Sequence, residues 1–384
     1  MQMPFGNQYN AHLDATISEY KAFGSSLNEG IKTRDETRQF PHGSWQACVD
    51  KGLLGFAVPA TYGGSEKGSE LDGMIALEAL GQTCRDLSLL FALSVQMWTV
   101  QHPILKFGTD DQKKRFLPRL TAGEFGAHAL SEPEAGSDAF SMRTQATATD
   151  AGYILNGTKR YVSLGPLADI ILVFATTDPA KGKWGISGFL VEKGTMGLSV
   201  APSPAKMGLK SVPWGEITFK DCFVPSENLL GNPGAGFAIT MASLEFERAS
   251  IISGQIGVMQ RQLDDSIAFA KSREQFGQPI GGFQSVSNRI VDMKLRLETV
   301  QLLSRKVMAL LAAGKPATTE VALLNYHAGE AFVASSMDAM RIRGAAGYTQ
   351  AHDAERELRD SLGLIFAGGT SDIQRNIVAK GLGL

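Results

Sequence analysis

The stretch Ala129-Leu-Ser-Glu-Pro-Glu-Ala-Gly-Ser-Asp138 marks the point where the periodicity of this chain changes. Before it, residues 1 to about 126 read as helices: Gly73 to Gly81 is apolar at helical spacing, Leu87 to Phe107 is richly apolar, and Thr109-Asp110-Asp111 supplies an N-cap hydroxyl with acidic first-turn residues. After it, to about Leu230, come short runs bounded by Gly, Pro and Asp, among them Tyr153 to Leu155, Ile170 to Phe174, Gly188 to Val191 and Glu216 to Phe219, which read as strands. Beyond the Gly/Pro-rich break Gly231-Asn-Pro-Gly-Ala-Gly236 the helical signal returns. Val286, Ile290, Met293, Leu297 and Val300 recur at steps of three and four, giving one apolar face on a helix that runs to about Ala313. Three or four such helices make a bundle. The expected chain is α+β, with a helical domain over 1–126, a β domain over 127–230 and a helical bundle over 231–384. Its strands are not interleaved with crossover helices, which excludes a doubly wound sheet.

Composition bounds the rest. With 384 residues, 43% hydrophobic and 20% charged, the chain can bury a large core in two or three domains. A net charge of −2 and no polybasic stretch speak against nucleic acid and against a membrane surface. Cys48, Cys84 and Cys222 are odd in number and far apart, so neither a disulfide framework nor a zinc site is expected. Met1 to Tyr20 has no basic start followed by an apolar core, and no run of 18 apolar residues occurs anywhere. A reduced, cytoplasmic setting without a membrane span is expected.

Few motifs could carry chemistry. The loop ending at Asp138 packs Gly, Pro, hydroxyls and carboxylates at the helix-to-sheet junction, where backbone amides can approach a ligand; a tight turn with Ser131 and Asp138 capping local backbone would use the same residues. Tyr161-Val162-Ser163 ends a strand and offers an aromatic face and a hydroxyl to a planar ring, or only a core tyrosine. Gly368-Gly-Thr-Ser-Asp372 precedes a helical pattern, which suits either a phosphate or oxyanion site or an ordinary capped helix. Gly344-Ala-Ala-Gly-Tyr348 fits a helix C-cap, and Gly234-Ala-Gly236 follows no strand of a βαβ unit, so it fails the dinucleotide fingerprint. G-x-S-x-G, H-E-x-x-H and P-loop patterns are absent, and no metal is expected. Glu247 stands in an apolar helical stretch beside Arg248, either as half of a surface ion pair or as a carboxylate held in an apolar site.

Taken together, these pieces resemble the acyl-CoA dehydrogenase family over essentially the whole chain and in the right order. Leu130 to Asp138 resembles its flavin signature, Arg273-Glu-Gln-Phe-Gly277 with Phe283-Gln284 resembles the segment that reaches a neighbouring subunit's FAD, and Gly369-Thr-Ser-Asp-Ile-Gln374 resembles its C-terminal signature. The resemblance implies an N-terminal helical domain, a middle β-barrel or sandwich, a C-terminal four-helix bundle and a homotetramer built as a dimer of dimers. It implies FAD held by Leu130, Ser131, Gly136, Ser137, Tyr161 and Ser163 around the flavin. Across a subunit interface it implies Arg273, Phe276, Gln284, Arg341, Gly344 and Gly347, with Thr370 and Asp372 near the same cofactor. Ser137 and Arg248 would meet the substrate.

The departures from the family pattern are informative. Many members carry the catalytic glutamate immediately before the Gly-Thr of the C-terminal signature, where this chain has Gly368, which cannot take a proton. Isovaleryl-type members place it on a helix before an Arg, where Glu247-Arg248 stands. By resemblance, Glu247 takes the α-proton of an acyl thioester, the Gly368 N–H polarises the thioester oxygen, and a hydride passes from the β carbon to flavin N5. Glu245, two positions away, should point elsewhere. Arg341 stands in place of a common glutamine, Ala345 of a second glycine and Asp372 of a frequent Gln or Glu. Phe283 to Glu298 resembles enzymes that oxidise prolyl or other small acyl groups on a phosphopantetheinyl carrier protein, with oxygen or an electron-transfer protein as acceptor. A short- or branched-chain acyl-CoA dehydrogenase, a catalytically silent flavin subunit and a flavin hydroxylase of the same fold are the alternatives.

Overall fold

The computed structural model describes residues 7–66, 68–202 and 204–384, with the side chains of 7–13 left aside. Residues 1–6 of the stretch read for an export signal lie outside the described ones. Side-chain caps start three of the N-terminal helices, including the one that the sequence marks at Thr109. The order is α1 (Asn7–Ser26), α2 (Ile31–Thr37), α3 (His42–Asp50), α4 (Glu70–Gly81), α5 (Leu87–Ser94), α6 (His102–Phe107) and α7 (Asp110–Thr121). Ser69 accepts from Asp72 N at the start of α4, and Asp86 accepts from Leu89 N at the start of α5. Thr109 and Gln112 form a reciprocal capping box on α7. The apolar stretch Leu87 to Phe107 is not one uniform α-helix: Val95–Gln101 between α5 and α6 is a π-helical turn, a feature that apolar periodicity does not reveal.

The sheet contains β1 (Gly126–Ala129), β2 (Gln145–Ala148), β3 (Gly152–Ser163), β4 (Ile170–Thr176), β5 (Ile186–Glu192), β6 (Leu198–Pro202), β7 (Trp214–Pro225) and β8 (Leu229–Leu230). Its order is β6-β7-β3-β2-β4-β5-β8, and β1 pairs parallel with β4, Gly126 opposite Ile170. β2 meets β4 through the pair Gln145 and Thr176, so the sheet folds into two halves. Ala127, Leu155, Val173, Phe189 and Phe219 fill the space between them, giving a sandwich rather than a closed barrel. β4 is buried on both faces and reads as a continuous apolar run, whereas β7 alternates along much of its length.

The C-terminal zone holds α8 (Gly236–Ser250), α9 (Ser253–Ser272), a hairpin of β9 (Glu274–Gln275) and β10 (Gln278–Pro279), α10 (Gln284–Ala312), α11 (Thr318–Arg343), α12 (Ala345–Tyr348), α13 (Ala354–Ser361) and α14 (Ser371–Gly381). Met293, Leu297 and Val300 of the periodic stretch are buried on α10 as their spacing requires. Both helical zones share one core: Leu77 and Leu80 of α4 join Val258 of α9 and Leu297 of α10. α4 and α9 cross so closely that a Cβ on Gly257 would stand 1.9 Å from the Glu78 carbonyl oxygen. No helix among the described residues is long and apolar enough to cross a membrane.

Candidate active site

One stripe of α8 is buried, and it mixes apolar with polar residues: Ile239, Thr240, Ser243, Phe246, Glu247 and Ser250. Glu247 is 8% exposed, and among the described residues no hydrogen bond or ion pair reaches its carboxylate. Burial lifts its pKa to about 7, against a weaker downward pull from Arg248. That guanidinium faces elsewhere. Arg248 Nε donates to the Gly368 carbonyl at 2.6 Å, and burial lowers the pKa of Arg248 itself. Glu245 accepts from the Thr318 hydroxyl at 2.8 Å, so it points away as its spacing on the helix predicts.

Gly368 is thereby tied to the helix that bears Glu247. Its carbonyl also accepts from Gln374 Nε2 at 3.0 Å, while its own N–H makes no hydrogen bond among the described residues and is free to donate to a ligand oxygen. The backbone is left-handed here, φ 67° at Gly368 and 104° at Gly369. A Cβ on Gly368 would lie 3.1 Å from Arg248 Cγ, so a side chain at this position would be both strained and crowded. Thr370 caps α14 by accepting from Ile373 N, and Asp372 pairs with Arg375 on the surface.

The flavin-signature loop is pinned to the sheet by a buried ion pair that the sequence reading did not single out. Lys159 on β3 donates to the Leu130 carbonyl at 3.0 Å and to Glu132 Oε1 at 2.8 Å, and Glu132 also accepts from Arg143 N and Thr144 N. Burial presses Lys159 down to about 8, with Glu132 pulling it back up. The Ser131 carbonyl accepts from Arg160 N, which brings the loop beside the end of β3. There the β3 and β7 ladder slips between Lys159 and Val162, and Tyr161 sits in the bulge at φ 60° with its ring 51% exposed. A large residue held left-handed with its ring exposed is not the core tyrosine that the sequence also allows. Ser163 stands opposite Trp214, whose ring meets Tyr161 edge-on at 5.5 Å. Leu130, Ser131, Tyr161 and Ser163 therefore come together, with Gly136 and Ser137 exposed on the same loop.

The residues expected to serve a second subunit's cofactor lie apart. Within one chain no hydrogen bond or ion pair among the described residues links Arg273, Phe276, Gln284, Arg341, Gly344 or Gly347 to Glu247 or to Tyr161. Phe276 at the tip of the β9–β10 hairpin has φ 53° and is 94% exposed, and Gly347 is buried behind the exposed Gly344. An exposed phenylalanine beside an arginine, on strained backbone, fits contact with a flat ring and an anionic group from outside the chain. A cleft of about 550 Å³ lined by Arg85, Asp265, Phe269, Arg343, His352 and Asp353 opens at the ends of α9 and α11, and none of the predicted site residues lines it.

A second feature that sequence reasoning missed lies across Phe246. Its ring stacks on His102 at 4.2 Å and meets Trp98 edge-on. Trp98 Nε1, both amide atoms of Gln101, His102 Nε2, Thr240 Oγ and Ser243 Oγ are buried without hydrogen-bond partners among the described residues, and Gln101 is 1% exposed. Gln96, by contrast, is fully engaged with Leu120, Glu124 and Gly126. Unpaired polar atoms at this depth call for water or a polar ligand. The signal was present in the sequence as glutamines and a histidine inside an otherwise apolar helical run.

Comparison with known proteins agrees with this layout. The acyl-CoA dehydrogenase N-terminal domain model matches residues 20–124, the middle domain model 127–222 and the C-terminal domain model 234–383. The L-prolyl-[peptidyl-carrier protein] dehydrogenase of Pseudomonas fluorescens is 40% identical over 91% of this chain and 92% of its own length. Among solved structures, the prolyl acyl carrier protein oxidase AnaB superposes with a TM-score of 0.95 at 39% identity, over 99% of this chain and all of that one. PigA with FAD and proline does so with a TM-score of 0.95 at 34% identity, over the full length of both. With all three domain models matched in order and relatives of this identity over nine-tenths of its length, the chain belongs to the acyl-CoA dehydrogenase family.

Proposed function

We propose that this protein dehydrogenates the α,β bond of a prolyl or other small acyl thioester carried on a phosphopantetheinyl carrier protein, with Glu247 as the base. Family membership makes it an FAD-dependent oxidoreductase acting on CH–CH groups. The observation that carries the reading is Glu247 itself, a buried carboxylate without partners whose pKa lies near the working pH, where a base combines ionisation with proton affinity. A silent flavin subunit would leave this glutamate in solvent. Its burial on α8, next in sequence to the Arg248 that holds the Gly368 carbonyl, favours an enzyme.

Residues of this chain divide the work. Tyr161 and Ser163 fit the flavin ring, with Leu130, Ser131, Gly136 and Ser137 along its edge. Arg273, Phe276, Gln284, Arg341, Gly344 and Gly347 reach a second copy's cofactor in a homotetramer, with Thr370 and Asp372 nearby. Bound FAD supplies the hydride acceptor. The Gly368 N–H donates to the thioester oxygen and lowers the cost of charge on it, Ser137 and Arg248 flank the substrate, and Glu247 takes the α-proton. Oxygen or an electron-transfer protein then accepts the electrons. A cytoplasmic setting in secondary metabolism and domains divided near residues 126 and 230 complete the reading.

The tethered prolyl group is favoured over an isovaleryl-type CoA substrate by the carrier-protein relatives. Anaerobic bleaching of the flavin with a panel of acyl-CoA and acyl-carrier-protein thioesters tests it. Prolyl-carrier protein is expected to bleach fastest, and bleaching by CoA esters alone would overturn the tethered substrate.

A further inference from the structure

A buried base must also lose the proton it gains. Glu247 is 8% exposed, and among the described residues its carboxylate has no hydrogen-bond partner to hand a proton to. Long side chains on a helix lean toward its N-terminus, over the residues three and four positions before them. The Glu247 carboxylate therefore lies over Ser243, and Ser243 stands one turn after Thr240, all three on the buried stripe of α8. Cβ atoms spaced in this way are about 5–6 Å apart, an interval that one water crosses with two hydrogen bonds of about 2.8 Å. The Ser243 and Thr240 hydroxyls are buried without partners among the described residues, so each has a donor and an acceptor to offer such a water.

The same turn of α8 faces the helical stretch 95–107, where α8 packs against both the π-helical turn and α6. Phe246, one turn after Ser243, lays its ring flat on His102 at 4.2 Å. Gln101, the residue before that histidine, is buried with both amide atoms unpartnered among the described residues. His102 leads outward. Its Nδ1 contacts Glu70 in the first turn of α4, and that carboxylate is 31% exposed, whereas His102 Nε2 is buried and has no partner among the described residues. A carboxylate only accepts, so the neutral ring carries its proton on Nδ1 and leaves Nε2 a bare acceptor. A ring that accepts on its buried side and donates toward a partly exposed carboxylate can pass a proton outward.

We propose that Ser243, Thr240, Gln101 and His102, with ordered water between them, form the route by which the proton taken up by Glu247 leaves for solvent at Glu70. The Glu247 O–H bond breaks as a bridging water takes the proton, and His102 Nε2 gains a proton from the far end of the chain. The imidazolium gives its Nδ1 proton to Glu70, which releases it to bulk water. One proton enters and one leaves, Glu247 is ionised again, and water-assisted tautomerisation resets the ring. The inference rests on Glu247 as the base, as read above.

An anaerobic single turnover of the holoenzyme, with whichever thioester of the panel above bleaches the flavin fastest, separates proton uptake from proton exit. Flavin absorbance reports the first and a pH-indicator dye in weak buffer the second. In the unsubstituted protein, release should keep pace with reduction. His102→Asn keeps a donor for Glu70 but cannot carry a proton, and Ser243→Ala interrupts the chain from the other helix. In each, reduction should stay within twofold while release slows at least tenfold, and free imidazole should recover most of the loss in His102→Asn. Ser243→Ala removes a single oxygen and tests the route even where His102→Asn does not fold. Release as fast as reduction in both variants overturns the route. So does a slowing of release that only mirrors an equal slowing of reduction, which marks a structural role, and so does release in the unsubstituted protein that waits for product dissociation. If Glu247→Gln is reduced at a near-normal rate, the base assignment fails and the route loses its source. If Glu247→Gln blocks reduction and release is unchanged in the two variants, the route alone fails.

Discussion

Glu132 at the loop-to-sheet junction and Glu247 on α8 are both nearly closed to solvent, yet their acidities move in opposite directions. Burial pushes both upward. At Glu132 the ammonium of Lys159 and the amides of Arg143 and Thr144 outweigh it and hold the carboxyl below its ordinary range. At Glu247 the single nearby cation is turned toward the Gly368 carbonyl, so burial wins and the pKa reaches about 7. Partners as well as depth separate the two carboxylates. The first fixes the loop that presents Ser131. The second is left unsatisfied at a cost in stability, as expected of a group kept for chemistry.

Removing the carboxylate is the strongest way to break this comparison. Glu247→Gln should keep FAD and fold but lose at least about a thousandfold in the rate of flavin reduction, toward the upper end of what a positioned base supplies. Stopped-flow reduction by prolyl thioester reads it, and near-normal reduction would remove Glu247 from the mechanism. The same variant should be more stable at high pH. A carboxyl whose pKa is raised in the folded state favours folding fully below its ordinary range, and that contribution is lost as pH climbs through about 7. At pH 8 the unsubstituted protein carries the cost of ionising a buried group, about 3 kcal/mol for a rise from 4.5 to about 7. Urea melts at pH 5 and pH 8 should show the variant's advantage at the higher pH only.

Lys159→Met should act with the opposite sign. It leaves Glu132 buried without its cation, which costs about 3–5 kcal/mol when one member of a buried pair is removed. Thermal melts should show a large drop, and FAD should bind more weakly because the Leu130 carbonyl loses its tether. The double variant Lys159→Met with Glu132→Gln should recover much of the stability. Failure to recover would show that the lysine's packing matters more than its charge.

The two carboxylates also differ in how well the sequence exposes them. Helices such as α10 and strands such as β4 are written in local periodicity, and the zones could be read from it. The shared core of α4, α9 and α10 and the β2–β4 junction depend on contacts between distant segments, so no window of sequence contains them. Lys159 is flanked by Thr158 and Arg160 and reads as part of a solvated strand; only the folded loop shows that Glu132 waits for it. Glu247 was ambiguous as a residue and became a candidate base through family resemblance and the glycine at 368. The bulge at Tyr161 and the unpaired atoms of Gln101 and His102 are likewise invisible until strands and helices pair.

Gly368→Ala gives the smallest effect and probes the proposed placement of the base on α8. At φ 67° an alanine costs about 1 kcal/mol in backbone strain, and its Cβ must displace Arg248 Cγ from 3.1 Å. The backbone N–H survives, so the thioester oxygen keeps its donor, and turnover should fall less than tenfold while the melting temperature drops by a few degrees. A longer side chain meets the same left-handed backbone with more atoms to place around Arg248, whose Nε is committed to the Gly368 carbonyl. Gly368→Glu combined with Glu247→Gln should therefore destabilise the protein more than Gly368→Ala and recover no more than a small part of flavin reduction. Full recovery by that swap would mean that the Arg248–Gly368 contact does not hold the geometry of the site. The position of the base would then be interchangeable rather than fixed by this backbone.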